Sequence, residues 1–353
     1  MGGELGPTQR HLELPQIARW VAQAFGPGVG VTASTALTGG GFATVHRVQL
    51  SDGREVVLKA GPEPGIGLLE YERGMVAAEV RYLRLAGPGV IEGSPLPRLL
   101  GSGGPGDESG DGEWMITELL PGVPLASLCT ELADPAVAPG VRAAVGAAMA
   151  RVHRVSSPTG VFGYDGGRAH GPSWSAAFTA IIAALLADAE RWRVPLPVDG
   201  AEIMSLIASG QAELDRVRRA ALVHFDLWDG NVLCRAGAGG GCELTGLVDG
   251  ERHLFGDPLV DFVSPALFRR IEDEPDHPFL RGYGRTAAFS GGELLRLAFY
   301  RMHLYLLMVV EMPSRGMYED THAQRHGELR RLLSDAVRDM RARIGANEPA
   351  SLT

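Results

Sequence analysis

Apolar residues recur at helical spacing through residues 14–25, LPQIARWVAQAF, and the pattern stops at Gly26-Pro27-Gly28, which predicts a helix with an abrupt end. From Thr38 the period changes. TVHRVQL and REVVLKA alternate apolar and polar positions on either side of Ser51-Asp52-Gly53, the signature of a β-hairpin. Residues 68–86 return to helical spacing and end at Gly87-Pro88. A polar, Gly-rich stretch at 101–112 predicts a solvent-exposed strand connection, and the apolar EWMITELL that follows predicts a strand closed by Pro121-Gly122. Past Pro121 the spacing is mainly helical, at 141–155, 173–193, 200–220 and 292–311. A strand–loop–strand interrupts it at 221–249, where LVHFDLWDGNVLC and ELTGLVDGE flank a turn at Gly237–Gly241. An Arg-rich amphipathic helix at 320–342 predicts a solvated cap. The pattern therefore predicts an α+β protein of two lobes, 1–120 and 121–353, with an antiparallel sheet in the first and mainly helices in the second.

Composition narrows the function classes. The chain has 353 residues, 45% hydrophobic and 21% charged, enough to bury a core, and a net charge of −9 argues against a broad nucleic-acid-binding surface. Cys129, Cys234 and Cys242 are too scattered for a disulfide framework or a zinc site. The N-terminal residues lack a basic segment followed by an apolar one, and no apolar run is long enough for a membrane span, so the expectation is a cytoplasmic protein. The informative count is lysine. Of 33 basic residues, Lys59 is the only lysine, and asparagine occurs only at Asn231 and Asn347. In a chain that writes Arg almost everywhere, a retained Lys or Asn is a candidate for chemistry that Arg, Asp or Gln cannot perform.

Four local signals follow in one order. Gly39-Gly40-Gly41 lies between two strands and suits a backbone that approaches phosphates; alone it also fits a flexible turn. Lys59 ends the apolar strand VVLK, where an inward ammonium needs an anionic partner. Glu79 lies at the margin of a helix face formed by Val76, Val80 and Leu83 and is favoured over Glu70 and Glu72 as that partner. Finally, His224 to Asn231 reads H-x-D-x-x-x-x-N, with Asp249 after the next hairpin. In that spacing Asp226 can accept a hydroxyl proton, while Asn231 and Asp249 offer hard oxygen ligands to Mg²⁺.

On VHFDLWDGNVL and GLVDGERHLFGDPLVDF, residues 30–265 resemble the aminoglycoside phosphotransferase and fructosamine kinase superfamily, small-molecule kinases with a protein-kinase-like fold. The resemblance implies that Asp226 is the catalytic base or hydroxyl-orienting group, that Asn231 and Asp249 hold Mg²⁺, and that Lys59, positioned by Glu79, contacts the phosphates of ATP, with GTP as the alternative nucleotide. It implies that Gly40 and Gly41 cover the phosphates. Glu118 would belong to the hinge, the Thr117 carbonyl and Leu119 amide would face the base, and Val45, Val57, Leu233 and Val248 would wall its pocket. Residues 1–120 become the nucleotide-binding lobe and 121–353 the lobe with catalytic loop and substrate site. Trp228 resembles the ketosamine kinases, whereas Gly256-Asp257-Pro258 with Asp261 fits the aminoglycoside kinases better; Asp257 and Asp261 are expected to brace the catalytic loop, and His153 and His224 to be structural. Two positions depart from the family pattern, Phe225 where Gly is usual and Gly250 where an aromatic is usual.

Seven residues between Asp249 and Asp257 leave no room for a protein-kinase activation loop, so the acceptor is expected to be a hydroxyl of a small molecule. An antibiotic such as an aminoglycoside or another sugar-containing compound leads, which would make the chain a resistance enzyme; ketosamine or metabolite kinases are the alternative. A dead nucleotide-binding regulator is a minor one, because Lys59, Asp226, Asn231 and Asp249 are all present. No nucleic acid or membrane partner is expected.

Overall fold

The computed structural model describes residues 5–37, 40–104, 112–237 and 241–347. Gly39, most of the connection at 101–112 and the middle of the turn at Gly237–Gly241 lie outside them. Helix α1 (Leu14–Phe25) carries Pro15 in its first turn, buries Ile17, Trp20 and Val21 as one stripe, and ends at Gly26 with φ +86°. That stripe covers one face of a five-stranded antiparallel sheet of β1 (Val31–Leu37), β2 (Thr44–Leu50), β3 (Glu55–Ala60), β4 (Leu99–Gly103) and β5 (Trp114–Glu118), ordered β1-β2-β3-β5-β4. Strand alternation sorts the side chains: Val48, Val56, Leu58, Ala60, Trp114 and Ile116 pack with α1, and Trp20 stacks on Trp114 at 5.8 Å. The register Val45↔Lys59↔Met115 and Val57↔Thr117 puts Lys59 on the opposite face.

The helix expected over 68–86 is shorter. Glu70–Glu72 form a single 3₁₀ turn, Gly74 adopts φ +70°, and α2 (Met75–Ala86) starts only after it. A left-handed residue cannot continue a right-handed helix, and the Glu113 carboxylate takes up the Ala77 N–H at the new start.

After Glu118 the chain forms β6 (Val123–Pro124), α3 (Pro139–Val152), β7 (Phe162–Gly163), β8 (His170–Gly171), α4 (Trp174–Arg191), α5 (Gly200–Ser209), α6 (Gln211–Leu214), β9 (Ala221–Val223), β10 (Val232–Ala236), β11 (Cys242–Leu247), β12 (Leu254–Gly256), α7 (Pro278–Tyr283), α8 (Gly291–Val310) and α9 (Glu319–Asn347). The helix predicted at 200–220 divides at Gly210, where the Phe299 ring occupies the place a side chain would take. Strands β7, β8 and β12 and helix α7 are too short for a period to register in sequence. Helix α8 opens with a Ser290–Glu293 capping box and is buried along most of its length. The C-terminal α9 is longer than predicted, bends at His322 and buries Leu329, Leu333, Val337 and Met340 against the body of the protein. One apolar cluster runs from α2 through α3 and α4 to α9, separate from the cluster under α1. Between them, β3, α2 and the loops after β9 and β11 bring the polar residues together. Among the described residues, no helix is long and apolar enough to cross a membrane.

Candidate active site

Lys59 points inward from β3 and is 6% exposed. Its Nζ lies 2.6 Å from Glu79 on α2, 2.5 Å from Asp249 and 3.3 Å from Glu251. Of the competing acids, Glu72 turns to Ser314 and Arg315, and the Glu70 carboxyl is pushed up by burial. Burial by itself would lower the Lys59 pKa, but Asp249, Glu79 and Glu251 hold it well above the usual value. Burial raises the Glu79 carboxyl, against the pull of Lys59, because one ammonium is shared among three acids. Burial also works to raise Asp249, but contact with Lys59 overrides it and lowers that carboxyl.

Glu251 escaped the sequence reading. Its signal is position, two residues beyond Asp249 on the 3₁₀ turn Gly250–Arg252. Oxygens of Glu79, Asp249 and Glu251 lie within 4.8 Å of one another, so three carboxyl groups face one ammonium. Hard oxygen donors suit a divalent cation.

The catalytic-loop candidate follows β9. The Asp261 carboxylate accepts the N–H of His224 at 2.8 Å and of Phe225 at 2.6 Å, and binds His153 at 2.9 Å. Asp261 thus pins the loop. Asp257, expected to act similarly, instead binds Arg296 and Tyr300 of α8, each at 2.8 Å. Asn231 Nδ2 donates to the Asp226 carbonyl at 2.9 Å, which leaves the amide oxygen as the atom it can offer a cation. The Asn231 carbonyl accepts from Val248, so Asn231 sits beside the strand end that carries Asp249. Burial pushes the Asp226 carboxyl up to about 6, opposed by Arg252. Arg252 Nε lies 3.7 Å from that carboxylate, and its Nη2 pairs with Glu311 at 2.8 Å. His224 is kept neutral by burial and accepts the Asp226 N–H, in keeping with a structural role.

Both departures from the family pattern have a packing partner. Phe225 sits at φ +68°, a backbone region that glycine enters at least cost, and its ring stacks on His303 at 4.6 Å. A side chain on Gly250 would run into Tyr82, whose ring already fills that space against His224 and His253.

The remaining expected residues lie on the same face of the sheet and on the strands opposite. Val45, Val57, Leu233 and Val248 are half-buried, whereas their neighbours Val48, Val56, Val232 and Leu247 are fully buried. Thr117 is buried opposite Val57, Leu119 follows the end of β5, and Glu118 is tied to the Arg98 backbone. The Gly40 and Gly41 carbonyls are held by the Gln9 and Thr8 side chains.

A model of the phosphotransferase enzyme family, APH, matches residues 35–300. The chain belongs to this family. As a member, it is a small-molecule phosphotransferase with the bilobal, protein-kinase-like α+β fold. A Thermobifida fusca YX-ER1 protein provisionally described as a fructosamine-3-kinase superimposes with TM-score 0.64 at 21% identity, covering 94% of this phosphotransferase and 100% of that chain. A mutant aminoglycoside 2'-phosphotransferase IIIa in complex with GDP gives 0.54 at 14% identity, covering 95% and 100%. A microcompartment-associated aminopropanol kinase gives 0.51 at 14%, covering 95% and 98%. At such identities the likeness is one of fold. No curated protein matches the phosphotransferase significantly in sequence.

Proposed function

We propose that this phosphotransferase moves the γ-phosphate of ATP to a hydroxyl of a small molecule, with residues 1–120 as the nucleotide-binding lobe and 121–353 as the acceptor lobe. The observation that carries this reading is the ion pair between Lys59 and Glu79 meeting Asp249 at the foot of the cleft, beside Asn231 and Asp226. Asn231 and Asp249 would hold Mg²⁺, and the carboxylates of Glu79 and Glu251 close beside Asp249 support that fit. When bound, Mg²⁺ would neutralise charge on the phosphate oxygens.

Lys59 places a compact ammonium for the α- and β-phosphates and is held by Glu79. Gly40 and Gly41 let the backbone approach the phosphates, and Val45, Val57, Leu233 and Val248 exclude water around the base, with Thr117 and Leu119 at its edge. Asp226 orients the acceptor hydroxyl and takes its proton; a carboxyl titrating near 6 is a competent base at neutral pH. The neighbours in fold span kinases named for fructosamine, aminoglycosides and aminopropanol, so the acceptor is sought among amine-bearing alcohols and sugars, with antibiotics first.

The test is ADP release with a panel of antibiotics, ketosamines, amino sugars and amino alcohols. At least one acceptor should raise ADP release, and Asp226→Asn should abolish that rise while MgATP binding survives. A variant that turns over like the wild type would overturn the role of Asp226.

A further inference from the structure

The glycine-rich loop is fastened to the opposite lobe. Phe42, which follows Gly40-Gly41, is 4% exposed although it belongs to a loop between two strands. The Arg315 guanidinium lies over its ring, 4.8 Å from the centroid. Arg315 is in the turn Pro313–Arg315 after α8, more than 270 residues along the chain, and its side chain is 6% exposed. Its Nη2 binds Glu72 at 3.1 Å, the Tyr71 hydroxyl at 3.2 Å and Glu311 at 3.4 Å, whereas Nη1 has no hydrogen-bond partner among the described residues. Glu311 is shared: the same Oε2 takes Arg252 Nη2 at 2.8 Å and the Tyr71 hydroxyl at 2.6 Å, and Arg252 is the cation beside Asp226. On the outer side the loop is backed by Gln9, whose Nε2 donates to the Gly40 and Ala43 carbonyls at 3.0 and 3.2 Å.

We propose that Arg315 is a positioning residue for phosphoryl transfer: it holds the Phe42 end of the glycine-rich loop and, through Glu311 and Arg252, ties it to the placement of Asp226. The proposal rests on the reading that this loop covers the nucleotide. Two chemistries meet in one guanidinium. Its face attracts the ring quadrupole of Phe42, and its edge reaches the buried carboxylates of Glu72 and Glu311. Lysine could supply the charge but not the planar face together with the fork. A loop anchored at Phe42 is preorganised for the phosphates, and the same Glu311 oxygen that steadies Arg315 holds the arginine next to the acceptor base.

The test uses calorimetric titration of MgATP into the full chain, alongside kcat and KM with an acceptor found in the panel above. Phe42→Leu keeps apolar bulk but removes the ring; Arg315→Lys keeps the charge but removes the planar group. Each should weaken MgATP binding about fivefold, and the double variant should be no worse than the weaker single one, because both remove one contact. Arg315→Lys should also lower kcat, an effect that Phe42→Leu shows less, since only Arg315 touches Glu311. Effects of the two substitutions that multiply, or a change in Tm with MgATP binding and kcat unaltered, would overturn the proposal. If Arg315→Lys does not fold, an unchanged MgATP affinity in Phe42→Leu has the same consequence. Absence of MgATP binding by the wild-type chain would instead overturn the kinase reading itself.

Discussion

Arg142 and Lys59 are both buried cations beside the catalytic loop, yet only the first meets a single carboxylate. Asp229 is 3% exposed and meets Arg142 through two bonds at 2.8 and 2.9 Å; it also takes the Ala133 N–H at 2.8 Å, while Arg142 Nε reaches the Val137 carbonyl. One cation meets one anion, and the neighbouring backbone completes the set. At Lys59 one cation meets three carboxylates. Uncompensated buried charge destabilises a fold. The balanced pair braces the loop, and the acid-rich cluster is where the proposed Mg²⁺ would supply positive charge.

The sharpest separation is expected from Asp249→Asn. Removing the Asp249 charge should reduce phosphoryl transfer by about a thousandfold or more, while Tm falls only slightly, because the Asp249 carboxylate that is held low by Lys59 is partly open to water. A fall in Tm as large as that of Arg142→Met would break the contrast. Arg142→Met should behave in the opposite sense. It strands the Asp229 carboxylate in the core and should cost about 4 kcal/mol in urea unfolding, with most of that recovered by adding Asp229→Leu. Failure of the second substitution to help would mean that the pair is not simply structural. Lys59→Arg should lower kcat/KM for ATP roughly a hundredfold, because a planar fork cannot replace a compact ammonium among three acids without displacing one of them. Activity within a few-fold of wild type would remove the argument from the single lysine.

The smallest effect concerns pH and sits on the balanced side. His277 caps α7 by accepting the Phe279 N–H at 3.1 Å, and burial, with nearby Arg142, pushes its pKa down to about 4. The unfolded chain binds this proton near pH 6.5 and the folded chain only near 4, so stability is full above 6.5 and declines as pH falls between those values. The loss should approach about 3 kcal/mol at most, and His277→Gln should flatten that part of the stability profile. An unchanged slope would assign it to other groups.

How much of this was legible in sequence depends on how far apart the partners lie. Lys59, Asp226, Asn231 and Asp249 were readable because short spacings and rare residue types betray them. Glu251 was equally local but was passed over, since one more acid in an acidic chain carries no compositional signal. Arg142 with Asp229 and Phe42 with Arg315 could not be read, because each joins segments that only folding brings together. The same holds for the fold. Long periodic segments such as α1, α4 and α8 were plain, whereas the break at Gly74 and the division at Gly210 were decided by a left-handed turn and by the Phe299 ring.

The sequence by itself determined the order of lobes, the strand that ends in Lys59 and the loop that carries Asp226 and Asn231, because periodicity and turn chemistry act over a few residues. The tertiary structure alone decided which charges are balanced, where Phe225 and Gly250 find their packing partners, and that Phe42 meets Arg315. Those depend on distances between residues remote in sequence, and burial, which sets the energy of every one of those contacts, exists only once the chain has folded.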